Sequence, residues 1–143
     1  MIPARRLLWV DCTAAAIAGV VVLMLSGWLS DLHALPQRLL LFVGAVNLLY
    51  GMYSFSLARQ THRPMYLIKI LVFANAFWMV VCVGLATAYW GQASLFGLAH
   101  LLGEGIFVGG LAAMEWRQRH QLALIPGAPV SEAGTNVSAR ISD

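Results

Sequence analysis

Four long apolar stretches, near residues 7–29, 39–58, 65–90 and 93–114, occupy most of this 143-residue chain. A helix needs about 20 predominantly apolar residues to cross about 30 Å of hydrocarbon, and each stretch reaches that length. The chain is 60% hydrophobic and only 10% charged, against about 25% charged for an average soluble domain. A water-soluble core cannot hide that much apolar surface. The expected fold is therefore an all-α integral membrane protein, a four-transmembrane-helix up-down bundle over residues 1–120, followed by a disordered cytoplasmic tail over 121–143.

Arg5 and Arg6 precede an apolar run containing Ala14, Ala15 and Ala16, which raises the alternative of a cleaved signal peptide. The run continues to Leu29 and is interrupted early by Asp11, so it reads as a retained span. Asp11 before Cys12 also disfavours lipoprotein processing, which wants small neutral residues there. Positive charge falls at Arg5, Arg6, Arg59, Arg63, Lys69, Arg117 and Arg119, whereas the other two loops carry only Arg38. Positive loop charge stays on the cytoplasmic side, which places both termini and the middle loop there. The net charge of +3 is then topological. It suits an anionic lipid surface and gives no reason to expect nucleic acid as a partner.

Short loops around Pro36 and Pro64 make sequential spans antiparallel neighbours, each proline standing where a helix can start without a donor. Trp28, Tyr89 and Trp90 suit the outer interface. Beyond Gln121 the composition turns to Pro, Gly, Ala, Ser and Asn without periodicity. The Asn136-Val137-Ser138 acceptor there is on the cytoplasmic side of this topology and reads as accidental. Cys12 and Cys82 fall in opposite halves of the membrane and read as free buried thiols.

Positions three, four, seven and eleven apart share a helix face. Span two thus groups Asn47, Tyr50 and Ser54; span three groups Asn75, Trp78 and Cys82; span four groups His100, Glu104 and Glu115. An ionisable group at mid-span costs about 2.5–3.5 kcal/mol on insertion scales, so these stripes should turn inward. Glu104 is the sharpest case, with His100 one turn away and Asn47 or Asn75 available from facing helices. The functional reading of His100, Glu104, Asn47, Asn75, Tyr50 and Ser54 is a proton or ligand site. The structural reading is interhelical glue worth roughly 0.6 kcal/mol per bond.

Asp11 lies about a turn inside the cytoplasmic boundary, where Lys69, Arg5 or Arg6 could pair with it, and Glu115 beside Trp116 and Arg117 reads as interfacial. His33, His62 and His120 fall in loops or at a helix end, leaving His100 as the one imidazole at membrane depth. Neither a two-histidine haem site nor a three-ligand zinc site follows, and no cofactor or metal is expected. No nucleophile–base pair, phosphate loop or nucleotide-binding fingerprint occurs, so an enzyme is not expected.

Gly105 and Gly109 form a GxxxG sequence, and Gly44 and Gly51 offer span two a similar groove. Both let another helix approach closely. A faint repeat relates 44–49 to 97–102, and Asp11 to Asn75, as if two hairpins were duplicated. In general outline the chain resembles the small four-span proteins of bacterial inner membranes, which implies a multi-pass location there. The leading expectation is a non-enzymatic packing or accessory subunit, with a homo-oligomer or a membrane protein as partner, marked by a small-residue surface that another protein occupies. A small oligomeric transporter or channel with its site at His100 and Glu104 would instead show a cavity reaching Glu104. A quinone- or haem-binding redox component would show a flat apolar pocket bordered by His100, Trp78 or Tyr50.

Overall fold

The computed structural model describes residues 4–60 and 63–123. The expected disorder of the tail beyond residue 123 and the Asn136 acceptor lie outside the described residues, as do His62 and its loop neighbour Thr61. Among the described residues the fold is all helical: α1 Ala4–Met24, α2 Ser26–His33, α3 Gln37–Arg59, α4 Met65–Ala88 and α5 Leu95–Ala123. Helices α1, α3, α4 and α5 are each long and apolar enough to cross a membrane.

The first apolar run is two segments rather than one span over 7–29. Helical bonding passes through the junction, with Leu25 N donating to Val21 O at 3.0 Å and Leu29 N to Leu25 O at 2.8 Å. Helix α2 then ends at Ala34, whose φ of 50° and ψ of 42° are left-handed. Its N–H and that of Leu35 both return to the Ser30 carbonyl, the usual way of satisfying a helix C-terminus. Pro36 and Pro64 occupy the N-cap positions of α3 and α4 with extended ψ of 129° and 139°. Helix α4 stops at Ala88, short of the expected Trp90. Helix α5 runs on to Ala123, beyond the expected span end at 114 and across the expected domain boundary at 120.

Two antiparallel hairpins make up the molecule. Helix α1 packs along α3, and α4 along α5. A β-carbon added at Gly19 would lie 2.8 Å from Leu48 N and 2.9 Å from Gly44 O, and one at Gly51 would lie 3.0 Å from Ala16 N. The first hairpin is therefore in backbone-to-backbone contact, which only small residues permit. In the second, Gly105 faces Cys82 and Gly109 faces Met79. The GxxxG sequence thus packs α5 against α4 of the same chain.

Apolar clusters close both ends. Leu8, Cys12, Leu57, Ala58, Ile68, Leu71 and Leu122 join all four long helices at the 60–64 loop end. Val22, Leu29, Leu40, Ala86 and Leu101 do so at the other. The first end is also held by Arg63, which donates to the carbonyls of Leu57 (2.6 Å), Ala58 (3.2 Å) and Leu122 (3.4 Å). A guanidinium suits these oxygens, which carry the negative end of two helix dipoles. Large apolar side chains such as Met24, Phe73, Val80, Leu95 and Ile106 face outward, as lipid as the surrounding solvent requires. Trp28 and Trp90 are exposed at one end and Trp116 at the other, at depths that suit interfacial aromatics.

Candidate functional site

Between the two apolar ends, the polar side chains form two tiers on either side of a cavity. The upper tier centres on Glu104, on the face of α5 that turns toward α3 and α4. Its Oε1 accepts from Asn47 Nδ2 at 2.7 Å and from Trp78 Nε1 at 2.7 Å. Its Oε2 lies 3.5 Å from His100 Nε2, an ion-pair distance for a protonated ring without the alignment of a hydrogen bond. Asn47 also returns a bond to Val43 O at 3.2 Å.

His33 belongs to this tier as well, which corrects its placement in a loop. It ends α2, is 5% exposed, and its ring centroid lies 5.0 Å from that of His100. His100, itself only partly buried, is thus accompanied by a buried imidazole. Ser94 holds the two helices together here. Its N–H donates to His33 O at 2.9 Å, its Oγ donates to Leu32 O at 2.7 Å, and the Gly97 N–H donates back to its Oγ at 3.2 Å. That last bond caps α5. Burial, with the neighbouring His100 second, lowers the pKa of His33 from its ordinary 6.5.

The lower tier centres on Asp11, only 2% exposed. Its Oδ2 accepts from Tyr50 Oη at 2.8 Å and Ser54 Oγ at 2.5 Å. Its Oδ1 lies 3.5 Å from Asn75 Nδ2, and the same amide donates to Glu115 Oε2 at 3.1 Å. Two expectations are overturned here. Asp11 is not an ion pair with Lys69, which is exposed, because its buried oxygens turn inward to Tyr50, Ser54 and Asn75. Glu115 is not interfacial but fully buried, because α5 extends another two turns beyond it.

The six polar residues expected to act together are accordingly divided. Asn47 and Glu104 join with His100 in one tier, while Tyr50, Ser54 and Asn75 gather around Asp11 and Glu115. Glu104 and Glu115 are eleven positions apart on α5, about 16 Å along its axis at about 1.5 Å per residue. Asp11, Glu115 and His33 were not among the expected site residues, and Trp78 was expected only as a border of a redox pocket. A depth signal for Asp11 was nonetheless present, since Arg6 to Asp11 and Ser54 to Arg59 are both five residues, placing Asp11 level with Ser54 when both ends share one side.

A cavity of about 310 Å³ separates the hairpins and touches both tiers. Asp11, Tyr50 and Asn75 stand at one end, and Asn47, Trp78 and Glu104 at the other; Phe77 and Phe107 supply aromatic wall between them, and Phe42 lies past Asn47. Helices α3 and α4 make no extended contact with each other, and Phe42 and Phe77 are more than half exposed, so the cavity is open between those helices. Among the described residues no cluster of three His, Cys, Asp or Glu side chains could hold a metal ion. The chemistry available is acceptance of hydrogen bonds or positive charge by two carboxyl groups, and stacking or cation–π contact on the wall.

No protein-family model, curated protein or solved structure matches this chain.

Proposed function

We propose that this protein is a small, non-enzymatic multi-pass membrane protein of the transporter or channel class that binds small lipophilic organic cations. One observation carries the reading: an aromatic-walled cavity of about 310 Å³ with a carboxyl group at each end. The volume lies at the small end of the about 300–1,000 Å³ usual for ligand sites. Aromatic faces attract a desolvated cation by about 2 kcal/mol or more, and the carboxylates add charge. Asp11 is the favoured counter-ion. Glu104 already faces His100, whereas Asp11 is bonded only to neutral donors in Tyr50, Ser54 and Asn75.

The competing accessory-subunit reading rested on a small-residue surface occupied by another protein. Gly44, Gly51, Gly105 and Gly109 face neighbouring helices of the same chain, so these four do not form that surface, while Gly103 and Gly110 on α5 have open space beside them. The redox reading asked for a flat apolar pocket, and a deeper space bounded by two acids suits a cation better. We place the protein in a bacterial inner membrane as an up-down bundle with both termini cytoplasmic, supported by the excess of arginine at the 59–63 and 117–119 ends over the lone Arg38 opposite.

Titration of the detergent-purified protein with benzyltrimethylammonium tests this, a probe small enough for the cavity and both aromatic and cationic. Saturable binding is expected, weakened at least tenfold by Asp11→Asn and several-fold by Phe77→Ala. No saturable binding, or binding indifferent to Asp11→Asn and Glu104→Gln alike, refutes the reading.

A further inference from the structure

Asp11 and Glu115 face one another across a single amide, and their surroundings differ in kind. Asp11 receives donors from Tyr50, Ser54 and Asn75, so both its oxygens are occupied. Glu115 receives one, from Asn75, and its Oε1 is buried without a partner. Gln118, on the same face of α5 and 8% exposed, leaves its Oε1 buried without a donor too. Three donors stabilise an anion, while a carboxyl group given one donor beside a second carboxylate, away from water, stays neutral by holding a proton. The titratable groups that face Glu115 are Asp11 from α1 and Tyr50 from α3; α4 presents the neutral Asn75, and its Lys69 is exposed. Asp11 lines the cavity and Glu115 does not.

We propose that Glu115 carries an exchangeable proton, released to solvent when a cation binds at Asp11, so that the cavity exchanges one proton for one monovalent cation. This rests on the organic-cation reading of the cavity and adds its coupling. With the cavity empty, the pair bears one negative charge and one proton. A cation seated against Asp11 cancels the charge that keeps Glu115 neutral. The Glu115 O–H bond then breaks, the electron pair stays on the carboxylate, and the proton passes to water or buffer. Charge balances, because one positive charge enters as one leaves. Asn75 bonds to both carboxyl groups and is the positioning residue of the exchange. By reciprocity of linkage, raising the pH should tighten cation binding, by up to about tenfold per unit while one full proton is exchanged.

Calorimetric titration of the full-length protein with benzyltrimethylammonium, in two buffers of different ionisation enthalpy, reads binding and proton release together. The wild type should release close to one proton per cation; Glu115→Gln should still bind but release none. Equal heats in the two buffers, or proton release persisting in Glu115→Gln, overturns the coupling while leaving cation binding in place. Infrared spectra across a pH titration without ligand provide the second arm. A protonated-carboxyl band should be present in the wild type, disappear at a lower pH in Asp11→Asn, where the charge that holds the proton is gone, and vanish in Glu115→Gln. Its absence from the wild type overturns the proton assignment whatever the heats show. Its presence with no binding heat overturns the cation reading and the coupling with it.

Discussion

Asn47 Nδ2 lies 2.7 Å from Glu104 Oε1, a direct bond from the first hairpin to the second at mid-membrane. The other groups on Glu104, a hydrogen bond from Trp78 and the nearby His100 ring, come from within the second hairpin. Asn47→Ala should therefore lower stability by about 1 kcal/mol, the range found for hydrogen bonds between membrane helices. In a double-mutant cycle with Glu104→Ala, which removes the acceptor, thermal unfolding in detergent should return a coupling of that order. A coupling of zero would show that the bond contributes nothing to docking.

Close approach of α1 and α3 makes Gly19 hard to replace. The groups its β-carbon would strike are backbone atoms of Leu48 and Gly44, which cannot swing aside. Gly19→Ala should cost about 1–3 kcal/mol, as overpacking does. Gly109→Ala meets only the end of the Met79 side chain and should cost less, and Gly103, with open space around it, should accept alanine without loss. Ranking the three variants by melting temperature checks the order.

His33 binds protons more weakly when folded than its ordinary pKa of 6.5, chiefly because it is buried. The unfolded chain then takes up more protons below that pH, so this contribution to stability is complete above pH 6.5 and is lost as pH falls toward the lower folded value. His33→Asn should flatten the acid side of a stability–pH curve. An unchanged slope would remove His33 as its source.

Arg63 donates to three carbonyl groups at the ends of α3 and α5. Charged hydrogen bonds are worth about 1.5–3 kcal/mol when lost, so Arg63→Ala should destabilise by about 2 kcal/mol. Arg63→Lys, unable to fork between these oxygens, should recover only part of it in the same melting assay.

Ala34 adopts the left-handed conformation with φ at 50°, where a β-carbon is unfavourable by about 1 kcal/mol or slightly more. Ala34→Gly should raise the melting temperature; a fall would indicate that the methyl group contributes packing that outweighs the backbone gain.

The four apolar helices and the inward turn of their polar faces were legible in the sequence, because lipid imposes both through composition and helical period. Asn47, Tyr50 and Ser54 do share a buried face of α3. What the period cannot supply is depth matched between helices. Asn47 and Ser54 look alike on a helical wheel, yet one meets Glu104 and the other Asp11. Asp11 was read from the arginines near it in sequence, but its partners lie on α3 and α4, some forty and sixty positions away. The break at Leu25 carried no local signal either, since apolar residues continue through it. It accompanies the anchoring of Leu32 and His33 on Ser94, a contact between distant parts of the chain.

Asp11 finds Tyr50 and Ser54 inside its own hairpin, and Glu104 and Glu115 find Trp78 and Asn75 inside theirs. Each half of the molecule can therefore enter the bilayer with its acids already sheltered. The Asn47–Glu104 and Asn75–Asp11 bonds, with those of Ser94 to Leu32 and His33, must await the meeting of the halves, which makes insertion and docking separable stages of assembly.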